Sequence, residues 1–149
     1  MKGNDEPMST TLYDDPIIKL AESAGSQESM ENPDFQATAT NALCGDRVTV
    51  QLKMDGPGIA RLAYQVRGCL LSKASCAVLA SLAAGLDLAR LRDLRDTLER
   101  FLKSSGHEQE VPRELLVFAA VRPRKSRHRC VLLPYDAALK ALESAGISD

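Results

Sequence analysis

Tryptophan is absent from the 149 residues, and Phe, Tyr and Trp together make up 4% of them. So sparse a set of rings argues against the stacking platforms that hold single-stranded nucleic acid. Charge of one sign is also lacking. Nineteen Lys and Arg balance 20 Asp and Glu, for a formal net charge of −1, which argues against a general binder of polyanions. No run approaches the ~18 uninterrupted apolar residues of a membrane span. The polar, acidic start MKGNDEPMSTTLYDDP has no apolar core of a secretory signal. The expectation is a cytoplasmic protein that engages neither membrane nor nucleic acid. CxxC pairs are missing too. The four cysteines stand at 44, 69, 76 and 130, which leaves zinc-ribbon and thioredoxin readings without support. In a reducing compartment they are expected as thiols, metal ligands or catalytic groups rather than disulfides.

What is present is enough chain for one domain with its own core. Residues 1–11 read as disordered, and residues 12–149 as a single domain. Leu12, Ile17, Ile18, Leu20 and Ala21 suit a short amphipathic helix over 12–24. The polar stretch 25–40 reads as a linker. Val48, Val50 and Leu52 alternate with Thr49, Gln51 and Lys53, which predicts a strand with one buried face. Asp55-Gly56-Pro57-Gly58 is a turn, and residues 59–66 complete a hairpin. Residues 70–84 predict a buried helix ended by Gly85. Residues 87–104 predict an amphipathic one with a stripe of Leu88, Leu91, Leu94, Leu98, Phe101 and Leu102. A further helix is expected over 112–120 and a last one over 132–145, with Pro134 in its first turn. The fold class is α+β: a small antiparallel sheet packed against several C-terminal helices.

Three of the cysteines stand at the ends of elements. Cys44 precedes the first strand in NALCGDRVTV, with Gly45 and Asp46 beside it. Cys69 follows Gly68 where a strand gives way to a helix, and there the helix dipole favours thiolate. Cys130 follows the basic run RPRKSRHR. Cys76 differs. On a helix starting at 69 it lies about 10 Å along the axis from Cys69, too far to share a zinc with it, so it reads as packing. Cys44, Asp46, Cys69 and Cys130 remain, three thiols and a carboxylate. Such a set suits tetrahedral zinc or transiently held iron, although the gaps between them are long and irregular.

At these residues the sequence resembles the U-type iron–sulfur cluster assembly family: the NifU N-terminal domain, IscU and SufU. The resemblance rests on CGDRVTVQLKMDGPGIARLAYQVRGCLLSKASC and RCVLLPYDAALKAL. Two features are similar to the SufU branch. Arg129 stands where the IscU branch has a His before its third Cys, and extra length lies at 88–113. Glu31-Asn32-Pro33-Asp34 departs from the family's Asn-Pro-Arg-Asn element. The resemblance implies zinc held by Cys44, Asp46, Cys69 and Cys130. It also implies sulfane sulfur accepted from a pyridoxal-phosphate cysteine desulfurase of SufS type. The acceptor would be Cys44 by the SufU pattern or Cys130 by the IscU pattern. Apo iron–sulfur proteins are the implied recipients.

Two alternatives stand beside this sulfur-carrier reading. One is a scaffold on which a [2Fe–2S] cluster is assembled and passed on. The other is a protein-binding module without metal, its thiols serving as core. His107, in the polar turn GHEQE, reads as a surface residue. His128 is two residues from Cys130, and an extended backbone would point both side chains the same way, making it a candidate ligand.

Overall fold

The computed structural model describes residues 15–23, 29–43, 45–104 and 111–144. The expectations for residues 1–11 and for His107 lie outside the described residues. Helix α1, Asp15–Ser23, comes first. Strands β1 (Phe35–Asn41), β2 (Asp46–Asp55) and β3 (Gly58–Arg67) form an antiparallel sheet in that order. Helices α2 (Leu70–Leu82), α3 (Leu88–Lys103) and α4 (His128–Ser144) follow. A 3₁₀ segment, Arg113–Val121, lies between α3 and α4. The architecture is α+β, as expected.

The hairpin β2–β3 takes the anticipated register, with Val48 opposite Val66 and Leu52 opposite Leu62. Val48, Val50 and Leu52 are fully buried. They face α4, whose Val131, Tyr135, Ala138 and Leu142 are buried with them in one core. Helix α2 packs against α1 and α4. Helix α3 begins at an N-cap, Asp87, whose Oδ1 accepts the Arg90 N–H at 2.8 Å. It is clamped to α4 by Arg95, whose Nε is 3.0 Å from Asp136 Oδ1.

Three local readings change. The expected linker 25–40 contains most of β1. Its inward residues, Phe35, Ala37 and Ala39, are mostly too small to give a strong apolar alternation, but they let α4 lie close, and Lys140 Nζ reaches the Thr38 carbonyl at 3.0 Å. The last helix starts at His128, so Pro134 sits inside it rather than in its first turn. The segment expected as a helix over 112–120 is helical, but of the tighter 3₁₀ kind.

Candidate metal centre

Asp46 opens β2, Cys69 caps α2 and Cys130 lies in the first turn of α4. The fold brings one ligand atom of each within 4.8 Å of the others. Asp46 is 1% exposed and Cys130 fully buried, while Cys69 is partly open. Cys44, the fourth residue expected here, lies outside the described residues. Its chain neighbours Leu43 and Gly45 are exposed, and Gly45 takes φ +73° as the chain turns toward Asp46.

Asp46 is held by the start of α2. The Cys69 side chain makes no cap to its own helix, and Asp46 Oδ1 supplies one by accepting the Cys69 N–H at 3.1 Å. Ser72, one turn on and fully buried, has its hydroxyl 2.5 Å from Asp46 Oδ2. Gly68 makes this approach possible. A Cβ there would overlap the Asp46 carboxylate, lying 2.6 Å from Cγ and 3.0 Å from Cβ. Cys69 Sγ stands 3.3 Å from Asp46 Oδ2.

Cys130 is set by two other contacts. Asn41, at the end of β1 and 2% exposed, points its amide Nδ2 at Cys130 Sγ, 3.9 Å away. The same Asn41 ties the following turn, accepting Leu43 N–H on Oδ1 at 3.2 Å and Gly45 N–H on its carbonyl at 2.8 Å. In α4, Pro134 has no N–H to offer the Cys130 carbonyl four residues back. Ser72 Oγ lies 3.3 Å from that oxygen, and Ser75 donates to the next carbonyl, Val131. The two serines of α2 thus brace α4 where proline interrupts it.

The electrostatics gather negative charge. Burial opposes ionisation of Asp46. The Ser72 hydroxyl, the Cys69 and Cys130 thiols and the Cys69 N–H outweigh it and hold the carboxyl below its ordinary value. Hydrogen bonding from the Cys130 thiol pulls Cys69 down to about 6, helped by the backbone at Ser72 and opposed by burial and the Asp46 charge. No ion pair to Asp46 occurs among the described residues. Anionic groups crowded together and shielded from water are costly unless a cation joins them. Tetrahedral zinc would need sulfurs about 3.8 Å apart at ~2.3 Å bonds, so small side-chain rotations would close the present spacing. The donor set therefore fits zinc, and its thiols fit iron.

Other candidates fall away from this centre. Cys76 is core packing, 1% exposed, and burial pushes its thiol far above the ordinary range. His128 begins a helix, so two residues turn its side chain roughly 200° away from that of Cys130. Its Nε2 lies 3.1 Å from both the Val121 and Arg122 carbonyls, which makes it a donor that joins the 3₁₀ segment to α4, not a ligand. Of the basic run, Arg122 stacks over the Phe101 ring at 4.0 Å and donates to the Phe101 carbonyl. The residues that sequence reasoning missed are Asn41, Gly68, Ser72 and Ser75. All four stood inside the quoted motifs, but nothing in their spacing marked them as supports of the centre.

The model of the NifU-like N-terminal domain family matches residues 12–143. The chain belongs to that family. Among its relatives is the iron–sulfur cluster assembly scaffold protein IscU of Thermotoga maritima, 18% identical over 132 residues, which are 89% of this chain and 93% of the relative. The N-terminal part of a nitrogen-fixing NifU-like protein from Brucella abortus superimposes with a TM-score of 0.78 at 32% identity, over 91% of this chain and 95% of that one. FiSufU, described as a SUF-system assembly scaffold protein of Fervidobacterium islandicum AW-1, superimposes at 0.81 with 24% identity, over 91% and 99%. The family assembles iron–sulfur clusters, and Asp46, Cys69 and Cys130 form a group that could hold a metal ion. No helix among the described residues is long and apolar enough to cross a membrane.

Proposed function

We propose that this chain is a zinc-binding sulfur carrier of SufU type, which accepts sulfane sulfur from a pyridoxal-phosphate cysteine desulfurase and passes it toward apo iron–sulfur proteins. The observation that carries the proposal is the convergence of Asp46, Cys69 and Cys130, from three separate elements, within 4.8 Å. Cys44, two residues before Asp46, is the fourth donor. Zinc, when bound, holds the thiols ionised and guards them from oxidation.

The rest of the chemistry belongs to the chain. Asp46 is braced by α2, so the oxygen donor has a fixed place, and Cys44 stands two residues before it in the sequence. Cys130 is fully buried and braced by Asn41 and the α2 serines; the residues flanking Cys44 are exposed. This contrast supports Cys44 as the acceptor, with Cys130 as a retained ligand. A released Cys44 thiolate attacks the outer sulfur of the donor persulfide. A new S–S bond forms, the donor's S–S bond breaks, and the donor leaves as thiolate. The sulfane sulfur changes partner with no net oxidation.

Metal analysis of protein purified without chelator or affinity tag should find about one zinc per chain, reduced in Asp46→Ala, Cys69→Ser and Cys130→Ser variants. Incubation with desulfurase and cysteine should add the mass of one sulfur to Cys44. Added sulfur on Cys130 alone would reassign the acceptor. Sulfur on neither would end the carrier reading.

A scaffold role is the second reading, supported by the same sulfurs' fit to iron and by the IscU and FiSufU relatives, both described as scaffold proteins. Anaerobic reconstitution separates the two. A cluster with visible absorbance that transfers to an apo-protein favours the scaffold; zinc that resists replacement by iron favours the carrier.

A further inference from the structure

Two arginines face each other across β2 and β3 at the end of the sheet that carries the metal centre. Arg47 is paired with Arg67 in the register, and both are exposed. Arg47 directly follows Asp46, and Arg67 stands two residues before Cys69. Like charges directly opposite on an antiparallel pair destabilise it. The acidic partners that would relieve them are missing among the described residues, where ion pairs involve Lys53, Arg92, Arg95 and Lys103 instead. The other outward positions of this face are threonine, glutamine, alanine, lysine and arginine, except for Asp55 at the opposite end of β2. An open concavity of about 510 Å³ lies here, lined by Arg47, Thr49, Gln65, Val66 and Arg67.

The far end of the same face is covered by the chain itself. Met30 N–H donates to Gln51 Oε1 at 2.8 Å, and Lys53 Nζ to the Asn32 carbonyl at 3.1 Å. Asp34 takes the Met54 N–H at 2.8 Å and lies 3.7 Å from Lys53 Nζ. An acidic segment thus already lies across this face as far as Ser29, whose Oγ accepts from Gln65 Nε2, and only the Arg47–Arg67 pair beyond it has no such cover among the described residues.

We propose that the Arg47–Arg67 end of the outer sheet face docks an acidic, extended segment of a partner protein, its carboxylates bridging the two guanidinium groups. The arginines offer fork-shaped donors suited to carboxylates. Thr49 and Gln65 beside them are engaged by Thr38 and Ser29, so the arginines themselves would make the contacts to the docked segment. The concavity is open rather than enclosing, which suits a strand of peptide and not a small captured anion. A segment seated there stands beside Cys69, whether its owner brings sulfur or receives a cluster.

The test uses full-length protein and a fluorescein-labelled hexaglutamate peptide, followed by fluorescence anisotropy. Wild type should bind the peptide, more weakly as salt rises. Arg47→Gln and Arg67→Gln should each weaken binding, and R47E/R67E should weaken it about tenfold or more. Zinc content should stay unchanged in all three, which keeps this test separate from the carrier reading. Arg67→Gln should also melt no lower than wild type, because it removes a like-charge pair. A markedly lower melting temperature would assign the arginine to folding and overturn the proposal. So would absence of peptide binding, or binding undiminished in R47E/R67E. Displacement of the peptide by inorganic phosphate, beyond the effect of sodium chloride at equal ionic strength, would show a small-anion site. Tighter binding of a hexathymidylate would show a nucleic-acid face. Either result would also overturn the proposal.

Discussion

Replacing Gly68 by alanine tests how the centre is built. The added Cβ would meet the Asp46 carboxylate head on, with Cγ at 2.6 Å and Asp46 Cβ at 3.0 Å. Neither atom can yield cheaply, because Asp46 is 1% exposed and held in register with Asn41 of β1. The carboxylate must swing away, losing the Cys69 N–H at 3.1 Å and the Ser72 hydroxyl at 2.5 Å. Hydrogen bonds to a charged group contribute about 1.5–3 kcal/mol each, so their combined loss is roughly 3–6 kcal/mol. The alanine returns about 0.4–1 kcal/mol by narrowing the unfolded ensemble. The net expectation is a destabilisation of about 2–5 kcal/mol. At roughly 2–4 °C per kcal/mol for a chain of this size, the melting temperature should fall by roughly 4–20 °C. Urea unfolding of Gly68→Ala, Asp46→Ala and the double variant, all stripped of metal, checks the mechanism. With the carboxylate already gone, the second change should cost much less, leaving only the contact at the β-carbon. Strict additivity, or a Gly68→Ala protein as stable as wild type, would refute the steric argument.

Other outcomes follow from the same geometry. Cys69 in metal-free protein should be alkylated by iodoacetamide with a midpoint near 6, and Cys130→Ala should move that midpoint up toward the ordinary thiol range. Because the folded value is depressed, Cys69 adds stability to the metal-free fold that is complete above the unfolded thiol value near 8.5. That contribution is lost as the pH falls through about 6, and the Cys69→Ser variant should lack this slope in pH-dependent urea melts. His128→Ala should cost about 0.5–1.5 kcal/mol through the lost imidazole hydrogen bond to the Val121 and Arg122 carbonyls while leaving zinc content unchanged; a loss of zinc would restore His128 as a candidate ligand. Zinc in hundredfold excess over its dissociation constant should stabilise wild type by about 2.7 kcal/mol, and chelation should reverse this; Cys69→Ser should gain less at the same zinc concentration. Asn41→Ala should speed alkylation of Cys130, because the amide that faces its sulfur also ties the adjacent turn; an unchanged rate would deny Asn41 that role.

Much of the fold was legible because periodicity survives in single residues. The Val48–Val50–Leu52 alternation and the Leu88–Leu102 stripe each reflect one element burying one face, so their pattern needs no knowledge of the partner. β1 was not legible, since Ala37 and Ala39 carry little apolar signal and become a strand through pairing with β2 and cover from α4. The candidacy of His128 as a ligand is set aside for a related reason. Its two-residue spacing from Cys130 has opposite meanings in strand and helix, and α4 began four residues earlier than its apolar pattern suggested.

The sequence by itself determined which residues could serve as soft and hard donors, and the motifs around them determined the family, because both are carried by residue identity and local order. Whether those donors meet was decided only by tertiary structure. Asp46, Cys69 and Cys130 are separated by tens of residues, and their closure depends on strand register, on the absence of a side chain at Gly68, and on serines of α2 that seat Asp46 and brace the carbonyls around Pro134. Those are contacts between elements, and no spacing along a chain encodes a distance across a core.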